Sequence, residues 1–112
     1  MVGIIQEQLS LAELTCREVE RYAGHSDESN LYFLSDDKQQ SYAVVDVPHT
    51  PRNYSPEILV MAHVVVDFIV IDEDTTDKPL FEALMVNGHI PREKIILAYQ
   101  GETIPVEVSK LS

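Results

Sequence analysis

The sequence predicts an α+β fold: one domain spanning residues 1–112, with a predominantly antiparallel sheet, an N-terminal helix and a second helix before the last main strand. Three observations predict this fold class. Apolar residues recur at helical spacing over residues 5–23, several short runs of β-branched and aromatic residues follow, and a proline-started helical stripe precedes the final run. A chain of 112 residues is the size of one ordinary domain, and its composition is that of a globular protein.

The first helix is predicted from its apolar spacing and its capping residues. The residues of the apolar stripe are separated alternately by four and three positions: Ile5, Leu9, Ala12, Cys16, Val19 and Ala23. Ser10 and Glu13 have the spacing of a capping box, so we expect the helix to begin near Ser10 although the stripe begins earlier. Gly24 is expected to end it.

The middle of the chain is predicted to form two pairs of strands. Residues 31–35 and 41–47 flank a polar run, which is typical of a β-hairpin. Residues 48–56 contain three prolines and are expected to form an irregular loop. Residues 57–66 and 68–71 are apolar on both alternating faces, which is typical of central strands covered on two sides.

The last third of the chain is predicted to contain one more helix and one more main strand. Thr75 and Thr76 precede Pro79, which suits a first helical turn, and the helix is expected to end near Gly88. Residues 91–94 are expected to form a short helical turn before a strand over residues 95–99. Residues 102–112 are compatible with an edge strand or with a frayed end.

The charge of the chain limits its partners. The 19 Asp and Glu residues against 8 Lys and Arg give a formal net charge of −11. Lys and Arg displace counterions from phosphates, so this composition argues against direct DNA binding and against anionic membranes, and favours basic proteins or cations. No apolar run reaches the roughly 20 residues that cross a bilayer. Residues 1–8 lack the features of a signal peptide, so a cytoplasmic location is expected.

The densest group of acids is a candidate metal site. It comprises Asp72, Glu73, Asp74 and Asp77, whose carboxylates are the hard oxygen ligands that Mg²⁺ and Ca²⁺ prefer. The spacing lacks the glycine and the distal glutamate of an EF-hand loop. The alternative interpretation is that residues 74–77 cap the second helix, because negative charge stabilises a helix N-terminus. On that interpretation we expect no metal and no other cofactor.

His63 is the other candidate functional residue. It falls on the strand face shared by Leu59, Met61 and Val65, where an imidazole needs a hydrogen-bond partner. Cys16 lies in the apolar stripe of the first helix and is interpreted as a small buried hydrophobe, because no activating base is identifiable. The sequence has no phosphate-binding glycine loop, nucleophile elbow or zinc-protease motif, so we do not expect an enzyme.

Two segments of the C-terminal half carry a family resemblance. Residues 74–80 (DTTDKPL) and 90–99 (IPREKIILAY) resemble the XisI family, whose members are called fdxN-element excision controlling factors. The likeness extends over nearly the whole chain. The sequence differs from the family's pattern in three places. Val65 stands where a His-x-Asp on this strand would place its acid, the Gly-Lys turn before the next strand is shortened, and His89 stands where a glycine would precede Ile-Pro.

The resemblance implies an accessory role in developmentally programmed DNA excision, beside a recombinase and a companion, XisH, that looks like a restriction-type nuclease. With the acidity of the chain, it predicts a non-catalytic controlling factor that binds a XisH-like protein. Two alternatives stay open: a metal-dependent enzyme that uses the acidic cluster, and a direct DNA-binding excision factor. The sequence is also compatible with a homo-oligomer.

The predicted partner-binding residues form two acidic patches and a histidine. One patch contains Asp72, Glu73 and Asp74, and the other contains Asp36 and Asp37 at the tip of the first hairpin; the histidine is His63. Acids steer the encounter with a basic partner, whereas a few desolvated apolar side chains hold the complex. A flat apolar patch rimmed by acids is therefore the surface that this hypothesis predicts.

Overall fold

The computed structural model describes residues 9–50 and 54–105. These residues form two α-helices and one six-stranded sheet, which confirms the α+β class. In chain order the elements are α1 (Leu11–Glu20), β1 (Gly24–His25), β2 (Ser29–Asp36), β3 (Ser41–Pro48), β4 (Glu57–Val65), β5 (Phe68–Asp74), α2 (Leu80–Gly88) and β6 (Ile95–Leu97). Two short 3-10 turns, Arg92–Lys94 and Ala98–Gln100, flank β6.

The strands lie in the sheet in the same order as in the sequence, from β1 to β6. Each of the first four neighbouring pairs is antiparallel, whereas β6 runs parallel to β5. A parallel pair needs a long crossover connection, and α2 supplies it. The predominantly antiparallel sheet and the position of the second helix before the last main strand are thus confirmed.

Helix α1 begins where its capping residues predict. The Ser10 hydroxyl accepts from the Glu13 backbone N–H at 3.1 Å, and the Glu13 carboxylate accepts from the Ser10 N–H at 2.8 Å. The helix ends at Glu20, before the stop predicted at Gly24. The intervening residues form a turn, and Gly24 opens β1 with a φ of 152°. The start of the apolar stripe, at Ile5, lies outside the described residues.

Both helices pack on one face of the sheet, which we call the helix-covered face. The buried core lies there and draws residues from both helices and from β3 to β6: Val19, Tyr42, Val44, Val60, Ala62, Ile69, Ile71, Leu80, Leu84, Ile95 and Leu97. We call the opposite side the open face. Near β6 the open face has a smaller cluster of Phe68, Val70 and Ile96, against which Val65 and Ile104 pack.

The end of the sheet differs from the predicted strand over residues 95–99. Strand β6 stops at Leu97, and residues 98–100 form a 3-10 turn that is closed by Gly101 in the left-handed conformation, at φ 93°. The reason is Glu102, whose side chain accepts from the Leu97 N–H at 2.8 Å and whose own N–H donates to the Leu97 carbonyl. The chain therefore turns back onto the sheet; residues 106–112 of the predicted tail lie outside the described residues.

The other predicted elements are in place. The two predicted strand pairs are β2 with β3 and β4 with β5, and α2 ends at Gly88 as expected. Part of the proline-rich loop, residues 51–53, lies outside the described residues. Among the residues described, no helix is long and apolar enough to span a membrane.

Candidate functional site

The open face exposes an apolar patch over β2, β3 and β4. Tyr32 is 50% exposed, Leu34 56% and Ile58 43%. They come together because the strand register places apolar residues side by side: Tyr32 pairs with Val45, and Val45 pairs with Ile58. The next row joins Leu34 to Ala43 and Ala43 to Met61. We call these six residues the open-face patch: Tyr32, Leu34, Ala43, Val45, Ile58 and Met61.

A row of polar residues crosses the open face beside this patch. Asp36 pairs with Ser41, and Ser41 pairs with His63. His63 completes the row through the neighbouring strand, because its Nδ1 lies 2.7 Å from Oδ2 of Asp72. Both side chains are 31% exposed, so the pair is accessible from solvent.

The hydrogen bond to Asp72 fixes the orientation of the imidazole. An ionised carboxylate only accepts hydrogen bonds, so Nδ1 carries the proton and donates it. In the neutral ring, Nε2 is then unprotonated and able to accept a hydrogen bond. In its neutral form the imidazole therefore presents Nε2 as its acceptor.

A β-bulge divides the three consecutive acids of β5 between the two faces of the sheet. Met61 pairs with Glu73 and Ala62 pairs with Ile71, so Asp72 is the extra residue between them. Met61 and His63 alternate with buried residues of β4 and belong to the open face, so their partners Glu73 and Asp72 belong to it as well.

Asp74, by contrast, lies on the helix-covered face and caps α2. Its carboxylate accepts from the Leu80 N–H at 2.7 Å, from the Thr76 N–H at 2.9 Å and from the Thr76 hydroxyl at 2.6 Å. This bonding confirms the capping interpretation for Asp74. The helix starts after Pro79, which has no side chain that caps, so an acid six positions before Leu80 satisfies the free N–H.

The two acids of the hairpin tip also separate. Asp36 lies in the polar row, and its Oδ1 accepts from the backbone N–H groups of Lys38 and Gln39. Asp37 lines a depression beside α1, together with Cys16 and Glu20. Of the six predicted partner-binding residues, the structure thus brings together Asp36, His63, Asp72 and Glu73 on the open face and places Asp37 and Asp74 elsewhere. Their binding role stays a prediction.

The acidic cluster does not converge into a chelating site. Asp72 and Glu73 belong to one face and Asp74 to the other, while Asp77 is exposed at the start of the segment leading to α2. Within residues 9–50 and 54–105, no group of three or more His, Cys, Asp or Glu side chains is arranged to hold a metal ion.

Neither Ser41 nor Cys16 is arranged to act as a nucleophile. Ser41 neighbours His63, but its hydroxyl donates to the Gln39 carbonyl at 3.2 Å, whereas acyl transfer needs that hydroxyl bonded to the imidazole. Burial raises the pKa of the Cys16 thiol, and the nearby Glu20 and Asp37 carboxylates raise it further. The reactive thiolate is therefore disfavoured at neutral pH.

Sequence reasoning missed a buried acid that joins the helices. The Glu18 side chain is fully buried and binds Arg17 Nε at 3.2 Å, Arg21 Nε at 3.4 Å and Asn87 Nδ2 at 3.1 Å. Arg21, three positions after Glu18, was the available signal, because residues three apart at a helix surface are neighbours. Because every one of these contacts is internal, Glu18 links α1 to α2 instead of forming a binding site.

Sequence reasoning also missed the contact between His63 and Asp72. The signal was the short connection between the strands: Val66 and Asp67 form a two-residue turn, so Val65 pairs with Phe68 and the register follows. That register makes Asp72 a diagonal neighbour of His63.

The comparisons with known proteins agree with this fold. A family model described as XisI protein matches residues 4–106. The chain belongs to the XisI family. The crystal structure of a XisI-like protein from Anabaena variabilis matches with a TM-score of 0.68 and 21% sequence identity, covering 86% of this chain and 87% of that one. No curated protein matches the sequence.

The structure shows what occupies two of the positions that differ from the pattern expected of the family. His63 lacks an acid at position 65, and Asp72 of the adjacent strand is its hydrogen-bond partner. His89 ends α2 in the left-handed conformation, with φ 56° and ψ 35°, which a glycine adopts without strain. A histidine in the left-handed conformation therefore ends the helix where a glycine was expected.

Proposed function

We propose that this member of the XisI family is a non-catalytic controlling factor in programmed DNA excision, and that it binds a XisH-like, nuclease-type protein through its open face. One observation carries the proposal: the open-face patch lies beside Asp36, Asp72 and Glu73 on the same side of the sheet. An apolar patch rimmed by acids is the surface that a basic protein partner would recognise.

The apolar residues of the patch supply the holding energy. Tyr32, Leu34 and Ile58 are each about half exposed, so a partner that covers them removes substantial apolar area from water. Each large apolar side chain contributes roughly 1.5–3 kcal/mol when it passes from full exposure to full burial, and half-exposed residues contribute about half of that. Together the three residues would contribute roughly 2–4.5 kcal/mol at the centre of an interface.

The charge of the chain favours a basic partner over a second copy. Each chain has a formal net charge of −11, so association through acidic rims would bring like charges together. A basic surface meets the same rim with favourable Coulomb energy and a faster encounter. The open face therefore fits a hetero-partner of opposite charge.

The ion pairs of the Lys and Arg side chains favour the proposed protein partner over direct DNA binding. Arg17 and Arg21 pair with Glu18, Arg92 pairs with Glu102, and Lys94 pairs with Asp67. Arg92 and Lys94 are each neutralised by one acid, whereas Arg17 and Arg21 share the single charge of Glu18, so all four are engaged within the chain and are less available to phosphates.

The proposal is tested by measuring the affinity of the purified chain for a XisH-like protein by calorimetry. Leu34→Ser is expected to weaken binding about tenfold or more, because it removes an apolar anchor from the open face. The matched control is Val86→Ser on α2, where the side chain is 71% exposed on the helix side. Equal affinities of the two variants would exclude the open face, and absence of any association at low salt would exclude the partner.

The electrostatic part is tested by charge reversal. Asp36→Lys combined with Asp72→Lys is expected to slow association by roughly tenfold at low salt and less at high salt, because steering by exposed charges is screened. Glu20→Lys combined with Asp77→Lys is the control, since both residues are exposed away from the open face. Equal effects of the two double variants would mean that only net charge matters.

A further inference from the structure

We infer that the partner adds one extended strand to the outer edge of β2, beside residues 32–36, in addition to covering the open-face patch. This inference rests on the proposed function and specifies the partner's binding element. The element is a short extended segment with apolar residues at alternate positions and a Lys or Arg at one end. Three features of β2 support it: unpaired backbone groups, the side chains next to them, and the acids at both ends of the edge.

The outer edge of β2 is paired over only part of its length. Strand β1 is the outermost strand of the sheet, and it pairs with Asn30 and Leu31 alone. The chain comes from α1 through a turn and joins the edge at Gly24, whose φ of 152° is a conformation that glycine adopts readily. Within the described part of the chain, no strand therefore lies beside residues 32–36 on this side.

Phe33 and Ser35 direct their backbone N–H and C=O groups to this unpaired edge. Successive residues of an antiparallel strand direct these groups to opposite sides. The Ser29 carbonyl accepts at 2.8 Å from the N–H of Ser26, which follows β1, so Ser29 faces the outer side. Steps of two from Ser29 lead to Leu31, which β1 pairs, and then to Phe33 and Ser35. The edge thus offers two donors and two acceptors to an added strand.

The edge also lacks the features by which natural proteins protect exposed strands. Residues 31–35 (LYFLS) contain no charged residue and no proline, and the pairing of β2 with β3 runs without a shift from Ser29 to Asp36. Tyr32 and Leu34 belong both to this strand and to the open-face patch, and each is at least half exposed. An added strand would therefore extend the proposed interface instead of forming a separate one.

Acids at both ends of the edge favour a basic segment over a second copy of this chain. Residues 27–28 (DE) lie at one end and residues 36–37 (DD) at the other, and all four are exposed. Two β2 strands paired around Leu34 would bring the acidic hairpin tip of each copy towards the acidic turn of the other. A Lys or Arg opposite Asp36 is attracted instead, and side chains two and four positions away then lie beside Leu34 and Tyr32.

The inference is tested by replacing Ser35 and measuring the affinity for the XisH-like protein by calorimetry. Ser35→Pro removes the outward N–H and places a ring on the edge, a change that edge strands tolerate because that N–H has no partner within the described chain. We expect Ser35→Pro to weaken binding about tenfold, because the added strand loses a hydrogen bond and meets the ring. Ser35→Ala keeps the N–H and is expected to bind as the unaltered chain does. Circular dichroism verifies that both variants fold.

A second measurement uses the unaltered protein, so it does not depend on the folding of variants. Amide hydrogen exchange is followed by NMR with and without the XisH-like protein. The amides of Phe33 and Ser35 are expected to exchange at least tenfold more slowly in the complex, because the added strand pairs them. Those of Tyr32 and Leu34 face β3 and are expected to be protected in both states.

Two results would overturn the added strand. The first is unchanged exchange at Phe33 and Ser35 in the complex, together with equal affinities of Ser35→Pro and Ser35→Ala. Weakened binding of Leu34→Ser would in that case leave the proposed function standing. The second is protection of Phe33 and Ser35 in the free chain that increases with its concentration, because a second copy would then occupy the edge.

Discussion

Apolar side chains lie on both faces of this sheet, but the two helices cover only one of the faces. In β3, Val44 is fully buried under the helices, while the adjacent Val45 points to the open face and is half-buried. Leu84 of α2 is fully buried, whereas Leu34 of β2 is 56% exposed. The main core lies on the helix-covered face, whereas the open-face patch stays exposed, and the partner proposed above would cover it.

The largest expected difference between the faces is in the stability that is lost when a leucine is replaced by alanine. Leu84→Ala is expected to lower the free energy of unfolding by roughly 2–5 kcal/mol, because it leaves a cavity in the core. Leu34→Ala, on a half-exposed strand position, is expected to cost less than about 1 kcal/mol. Chemical denaturation of both variants measures the difference. Similar losses would mean that the open face contributes to stability as the core does.

Adjacent acids of β5 give the second comparison. Asp74→Ala is expected to lower the free energy of unfolding by about 1–2 kcal/mol, because the Leu80 N–H loses its partner at the start of α2. Asp72→Ala is expected to cost under about 0.5 kcal/mol, since its pair with His63 is solvent-accessible. The same denaturation experiment separates them, and an inverted order would contradict the assignment of the two acids to opposite faces.

The turn between β4 and β5 gives an expected gain of stability. Val66 has a φ of 58° and is 67% exposed, a strained conformation for a β-branched residue. Val66→Gly is expected to stabilise the fold by about 0.5–1 kcal/mol, because relief of strain exceeds the entropy that glycine loses. Val86→Gly in α2 is the matched control and should destabilise by roughly 0.5 kcal/mol. A loss of stability in Val66→Gly would show that the turn is not strained.

The smallest expected effect is a change in the free energy of unfolding at low pH. Hydrogen bonds from the Arg92 guanidinium and from the Leu97 N–H hold the pKa of Glu102 below its ordinary value. A lowered pKa in the folded state means that the contribution to stability is present above the ordinary carboxyl pKa and disappears as pH falls through the lowered one. The stability advantage over Glu102→Gln should therefore shrink on acidification. An advantage that grew at low pH would contradict the contact.

Local signals sufficed to predict much of the helix-covered face. Ser10 and Glu13 located the start of α1, and the alternating apolar residues located the strands, because capping and periodicity depend on neighbours in sequence. The end of α1 and the early end of β6 were mispredicted. At β6 the reason is the hydrogen bond that the Leu97 N–H donates to the Glu102 carboxylate, which strand propensity does not encode.

The candidate site was less predictable because it depends on register. One bulge assigns Asp72 and Glu73 to the open face and leaves Asp74 to cap α2, although the three acids are consecutive in sequence. The pairing of Asp36 with Ser41, and of Ser41 with His63, likewise follows from how strands align. A shift of one residue would have sent each side chain to the other face.

The most direct test of the central claim locates the partner on the chain. Methyl groups of Ile, Leu, Val and Met are labelled, and their NMR spectra are recorded as an unlabelled XisH-like protein is added. We expect the resonances of Leu34, Ile58 and Met61 to change, because they lie in the open-face patch, and those of Leu84 and Val86 to stay unchanged. Changes confined to Val86 and its neighbours on the helix side, with the open-face methyl groups unaffected, would contradict the account.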